Sequence, residues 1–342
     1  MTQPNPHLDI PARAPAEISI DDSVLPFEVG ALDLRGRVVQ LGRSIDEILS
    51  GHDYPDPVAK LLGEAIVLTV MLGSAIKDAR LILQTQTDGP VRMLVVDYRQ
   101  PGHIRACARF DADRVKSMID AGRVSSGGLL GQGHLAMTID HGSDRNRYQG
   151  VVAVHGGSLE DAAHEYFRSS EQIPTRVKLV VAEEYAAGRQ HRWRAGGILA
   201  QFLPKATHRA HRDLHPGDAP KGMVVPEVQE DDAWVEGRSL VDTVEDVELI
   251  DPTMSGEILL YRLFHERGVR VFPATAVVTQ CSCSRESVEA MLRNFSQDDR
   301  DHMVENGKIS VTCEFCSANY EFAPGDVRVE AEPGANTEKP AS

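Results

Sequence analysis

Several features are scarce in this 342-residue chain, and each scarcity excludes a class of protein. Long uncharged stretches are scarce. The longest apolar run, Ala65 to Ile76, has 12 residues between Glu64 and Lys77, against the ~20 needed to span a bilayer as a helix. Basic charge is scarce: 36 Lys and Arg stand against 51 Asp and Glu, a net charge of −15, which argues against nucleic acid or an anionic membrane as a partner. Cysteine is nearly missing from the first 280 residues, where Cys107 stands alone. The proline-rich N-terminus has no apolar core of a secretory signal, so a reducing, cytoplasmic setting is expected. No phosphate-binding loop is present either: Gly307-Lys308 is followed by Ile309, and the glycines at 127, 128, 131 and 133 lack the G-x-G-x-x-G order and read as a strand entry. Scattered His, Ser and Asp residues suggest no catalytic triad, so an enzyme is not expected.

What is present is the composition of a globular protein, 42% apolar and 25% charged, long enough for two or three domains. Residues 1–20 and 325–342 are Pro-, Ala-, Gly- and Glu-rich without periodicity and read as disordered tails. Asp56-Pro57 reads as a helix start, with Asp56 as N-cap, and the residues from Val58 to Ile76 surround that helix with apolar side chains, so it must be buried on most sides. Alternation over 81–86, 91–98, 104–110, 135–139, 150–154 and 177–181 predicts strands, the first two forming a hairpin across Asp88-Gly89-Pro90. Ser158 and Asp161 predict a capped helix, and Gly196 to Leu203 reads as a short apolar helix stopped by Pro204. The sum is a mixed α+β domain over 21–225. Between Glu227 and Asp251 ten acidic residues accompany one basic residue, Arg238, yet two short helical stripes persist (Leu240, Val241, Val244 and Val247; Leu259, Leu260, Leu263 and Phe264). Residues 226–275 therefore read as a self-repelling, weakly buried helical linker.

The remaining cysteines form two close pairs, Cys281-Ser-Cys283 and Cys313-Glu-Phe-Cys316, 29 residues apart. Four thiolates delivered by two loops suit one tetrahedral Zn²⁺ ion per chain, closed to further ligands. The intervening residues predict helices capped by Ser284 and Ser296, a turn at Asn306-Gly307 and a strand over Ile309–Thr312. A helix N-terminus beside Cys283, together with Arg285, suits the negative charge of such a centre. Three uses of the thiols stay open on spacing alone: a structural zinc ribbon for contacts, a redox switch in which a strong oxidant attacks the thiolates and ejects the metal, and a thioredoxin-like Cys-x-x-Cys. Residues 276–328 carry five basic and nine acidic side chains, which disfavours a nucleic-acid ribbon. His208, His211 and His215 read as a solvated cluster, and Cys107, on a strand face with Arg105 and Arg109, as an inert packed thiol.

The run Cys281-Ser-Cys283-Ser-Arg-Glu with Val311-Thr-Cys313-Glu-Phe-Cys316 resembles the zinc centre of the 33 kDa chaperonin family, the bacterial redox-regulated holdases. The resemblance continues through Tyr54-Pro-Asp-Pro-Val-Ala, Asp88-Gly-Pro-Val-Arg, Tyr148-Gln-Gly-Val-Val, Tyr166-Phe-Arg-Ser-Ser-Glu-Gln, Ala195-Gly-Gly-Ile-Leu-Ala-Gln and Asp242-Thr-Val-Glu-Asp-Val-Glu-Leu. It departs at the tails and over Gly188–Lys221. The resemblance implies a client-binding domain (21–225), a metastable linker (226–275) and a zinc-binding switch domain (276–324). It implies a reduced, zinc-loaded resting state and, on oxidation, Cys281–Cys283 and Cys313–Cys316 disulfides, zinc release, linker unfolding, client binding without nucleotide, and a homodimer. A constitutive zinc-ribbon adaptor is the alternative.

Overall fold

The computed structural model describes residues 21–142, 147–185, 191–204 and 230–327; the histidine cluster lies outside them, as do residues 1–20 and 328–342 of the two tails. The described chain opens with β1 (Ser23–Val29) and β2 (Leu34–Leu41), an antiparallel pair that the sequence reading passed over because Pro26 and Gly36 interrupt it. Gly36 is required there: a Cβ at that position would lie 2.3 Å from the Phe27 ring. After α1 (Arg43–Leu49) comes α2 (Asp56–Gly73), in which Asp56 is the first helical residue and Pro55, not Asp56, is the cap. The helix stops at Gly73, short of Ile76, where a side chain would strike Tyr98 at 2.4 Å.

Next follow β3 (Arg80–Thr87), β4 (Val91–Arg99), β5 (His103–Phe110), α3 (Ala112–Asp120), α4 (Ser126–Leu130), β6 (Gln132–Asp140) and β7 (Tyr148–His155). Then come α5 (Leu159–Tyr166), capped by Ser158 with Asp161 as expected, β8 (Thr175–Glu184) and β9 (Arg192–Phe202). The helix expected over Gly196–Leu203 is thus a strand. A continuous apolar run without alternation does not distinguish a doubly buried strand from a buried helix. Here β9 is covered on both sides: a Cβ at Gly196 would lie 2.2 Å from the Leu249 carbonyl oxygen, and one at Gly197 would lie 2.6 Å from Val67. The adjacent glycines, costly inside a helix, let two helices close on the strand.

Two sheets result, ordered β8-β9-β2-β1 and β5-β4-β3-β6-β7, with α2 between them. This placement explains the apolar perimeter of α2: Val58, Leu62, Ala65, Ile66, Val67, Val70 and Met71 are fully or almost fully buried.

The acidic segment forms α6 (Asp232–Asp242), α7 (Asp246–Ile250) and α8 (Gly256–Phe264), three helices where two stripes were read. They pack on the opposite face of the first sheet, against Phe27, Leu34, Val38, Ile198 and Phe202. The expectation of weak burial is corrected here. Trp234, Val241, Val244, Leu249, Leu259, Leu260 and Phe264 are each exposed by 5% or less, because the charges occupy only the outer side of each helix. Three two-residue strands then lead out: β10 (Arg270–Val271) and β11 (Thr275–Ala276) pair with β1, and β12 (Val278–Thr279) pairs in parallel with β5. The chain ends with α9 (Arg285–Arg293), α10 (Gln297–His302) and a small sheet of β13 (Val304–Glu305), β14 (Lys308–Thr312) and β15 (Asn319–Phe322). Ser284 and Ser296 cap their helices, and Asn306 and Gly307 take the positive φ angles, 50° and 79°, of a tight hairpin turn. Val288, Leu292, Ile309 and Phe322 make a separate core, joined by Val327, which composition had assigned to the tail.

Candidate metal centre

The first thiol loop is fixed at both ends. Upstream, the Gln280 amide donates to the Ile104 carbonyl at 3.0 Å, continuing the β12–β5 pairing. Downstream, Ser284 starts α9 by accepting from the Ser287 amide at 3.1 Å. The second loop turns between β14 and β15: the Cys313 amide donates to Ala318 O and the Ser317 amide to Cys313 O, both at 2.9 Å, with Ser317 at φ 56°. The loops face each other, and the Sγ atoms of Cys281, Cys283, Cys313 and Cys316 all lie within 4.8 Å of one another. Two close approaches cross between the loops, Cys281–Cys313 at 3.7 Å and Cys283–Cys316 at 3.3 Å, and all four thiols are free.

Four thiolates at ~2.3 Å from one tetrahedral ion stand ~3.8 Å apart, close to the spacing found, so this donor set fits a metal ion. Burial raises the pKa of Cys281, whereas the Tyr320 hydroxyl, donating to Cys283 Sγ at 3.2 Å, brings Cys283 down to about 7. Metal binding requires thiolates, and this donor favours one. Arg285, expected to face the sulfurs, instead lies over the Phe322 ring at 4.4 Å and donates to Glu321 O at 2.8 Å. The guanidinium near a thiol belongs to Arg105 of β5, with Nη1 4.0 Å from Cys281 Sγ. Sequence reasoning placed Arg105 only beside Cys107, because no local spacing reports a contact made across 176 residues.

Further contacts seat the loops on β5. Arg109 pairs with Glu314 at 2.5 Å, and His52 Nε2 lies 3.0 Å from the Glu314 carbonyl oxygen. Cys107 lies on the same strand, 3% exposed; burial first, then Glu314, pushes its thiol up to about 11. That suits an unreactive packed thiol.

An α+β body with a terminal four-thiol cluster able to hold a metal ion defines the class, and comparison with known proteins narrows it. The family model described as "Hsp33 protein" matches residues 22–323. A 33 kDa chaperonin of Caulobacter vibrioides (strain NA1000 / CB15N) is 44% identical over 315 residues, 91% of this chain and 98% of that protein. One from Pseudomonas aeruginosa (strain LESB58) is 36% identical over 327 residues, 95% and 99% of the two chains. The crystal structure of the 33 kDa chaperonin (heat shock protein 33 homolog) of Thermotoga maritima superposes with a TM-score of 0.69 at 18% identity, covering 90% of this chain and 96% of that one. The chain belongs to the Hsp33 family of chaperones.

Proposed function

We propose that this chain is a redox-regulated holdase: zinc-loaded and inactive when reduced, and able to hold unfolding proteins, without nucleotide, once its cluster is oxidised. The observation that carries the reading is the gathering of Cys281, Cys283, Cys313 and Cys316 on β5, at the end of the segment that also covers the first sheet. A bound Zn²⁺ ion would keep four thiolates unprotonated and hold both loops in one unit.

The chemistry then lies in the thiolates. Cys281 and Cys283 give two electrons to one molecule of hydrogen peroxide. The O–O bond breaks, an S–S bond forms, and two protons from solvent leave both oxygens as water. Cys313 and Cys316 react likewise with a second molecule. With all four donors consumed the site no longer retains a cation, and the C-terminal core, whose folding free energy is largely metal binding, loosens. Release of α6–α8 from the first sheet would uncover Phe27, Leu34, Val38, Ile198 and Phe202, an apolar face suited to unfolded clients and to a second copy of the chain. In this reading residues 21–225 bind clients, 226–275 are the switchable linker and 276–324 the sensor, in the cytoplasm.

Aggregation of a denatured client, with zinc release followed in parallel, tests the proposal before and after peroxide. Suppression only after oxidation, with loss of one zinc per chain, is expected. Unchanged zinc and equal behaviour in both states would point to a constitutive zinc-ribbon adaptor, and catalytic turnover of dithiols to an oxidoreductase.

A further inference from the structure

The side chain of Arg105 is three-quarters or more buried, 18% exposed, between the second sheet and the two thiol loops, and it uses each binding mode open to a guanidinium. Its Nε donates to Asp97 Oδ2 at 2.8 Å; Asp97, 5% exposed, is gripped from its other side by Arg80 at 2.6 and 2.7 Å. Nη1 donates to Ser282 Oγ at 2.9 Å, in the middle of the Cys281–Cys283 loop. The guanidinium lies over the Phe315 ring, 4.3 Å from its centroid, in the middle of the Cys313–Cys316 loop. One residue of the N-terminal sheet thus touches the central residue of one thiol loop and an inner residue of the other, while its far side is anchored on a buried carboxylate.

We infer that Arg105 is a positioning residue for the cluster: it clamps the two thiol loops to each other and to β5, so that dismantling the cluster and detaching it from the N-terminal sheet are one event. Three properties support a clamp over a simple counterion. The contacts to Ser282 and Phe315 are directional and come from both loops. The cation is fixed by Asp97 and Arg80, so either loop must come to it. Lysine, with a compact ammonium and no planar face, would not serve Asp97, Ser282 and Phe315 together.

The inference rests on the reading that the cluster holds zinc. In the full-length reduced, zinc-loaded chain, transfer of zinc to a chromophoric chelator without oxidant reports how firmly the loops are held. Hydrogen exchange at the amides of Val278 and Gln280, which donate to Gly102 O and Ile104 O, reports docking on β5 independently of metal. Phe315→Leu and Ser282→Ala act from the loop side and leave the Arg80–Asp97–Arg105 network intact, so neither threatens the fold of the sheet. Each is expected to speed zinc transfer about threefold to tenfold, the loss of one cation–π contact or one charged hydrogen bond, and to speed exchange at 278 and 280. Arg105→Met should do at least as much, Arg105→Lys should recover part of it, and Arg105→Met with Phe315→Leu should fall short of the product of the single effects. Wild-type rates in Phe315→Leu and Ser282→Ala would overturn the clamp, even if Arg105→Met were fast, since Arg105 would then be only a counterion within the sheet. A wild-type chain that binds no zinc would instead remove the functional reading, and the exchange measurement would still decide the clamp.

Discussion

Two side chains sit where a single atom decides an equilibrium. The Tyr320 hydroxyl donates to Cys283 Sγ, and a donor to a ligand atom orients it and tunes its affinity. Tyr320→Phe removes that oxygen alone. Zinc affinity, measured by chelator competition, is expected to fall about tenfold with the C-terminal fold retained. Glu64, on the largely buried face of α2, has Ser126 Oγ at 3.4 Å from both carboxylate oxygens, and burial, with Glu160 nearby adding to it, raises its pKa to about 7. The sign follows from the raised value. The protonated acid is the form the fold accepts, so its stabilisation is complete below the unfolded pKa near 4.5 and is lost as pH rises through about 7. Glu64→Gln, which stays neutral, should be more stable than the wild type at pH 8 by about 3 kcal/mol and should lose that advantage near pH 4.5. Denaturant unfolding at both pH values measures it. Neither residue stood out in the sequence, because an α2 glutamate and a strand tyrosine acquire their chemistry only from what packs on them.

At the scale of elements, the legible parts were those whose cause is local. The Ser158–Asp161 and Ser284 caps, the Asn306-Gly307 turn and the β3–β4 hairpin each depend on a few adjacent residues, and each is found. The perimeter of α2 was legible too, since a helix apolar all round has one physical outcome. What misled were elements whose character comes from distant partners: β9, whose glycines make room for α2 and α7, and the acidic helices, whose few apolar side chains find a prepared sheet face. The gathering of the four thiols was readable from their spacing, whereas the seat of their loops on β5 was not. A prediction belongs to the acidic helices. Trp234, 5% exposed, packs at 6.3 Å from the Phe202 ring and anchors α6. Trp234→Ala should cost about 3–5 kcal/mol, a large loss for a helix too short to be stable without docking. The reduced, zinc-loaded variant is therefore expected to be cut by protease between residues 230 and 270 and to hold clients without oxidant; protection equal to wild type would separate linker docking from client binding.

At the scale of the whole molecule, the third core is small, and an ion held by the four thiols is expected to supply most of its stability. Val288, Leu292, Ile309, Phe322 and Val327 are few, whereas binding of structural zinc is worth ~10–16 kcal/mol. Cys313→Ser is expected to lose tight zinc, by elemental analysis, and to melt the C-terminal residues while leaving the two large sheets folded, by amide exchange. Retention of one tight zinc would redirect the ligand assignment to other residues. Between the helices and the cluster, residues 270–279 close the open side of both large sheets: β10 and β11 lie on β1, and β12 lies on β5. One strip of ten residues therefore hems two sheet edges at once. Peeled from its cysteine end, it would free β5 first and β1 second, leaving two rows of unpaired N–H and C=O groups. Such edges pair main chain with main chain, so extended polypeptides of many different sequences would find in them a template to add a strand.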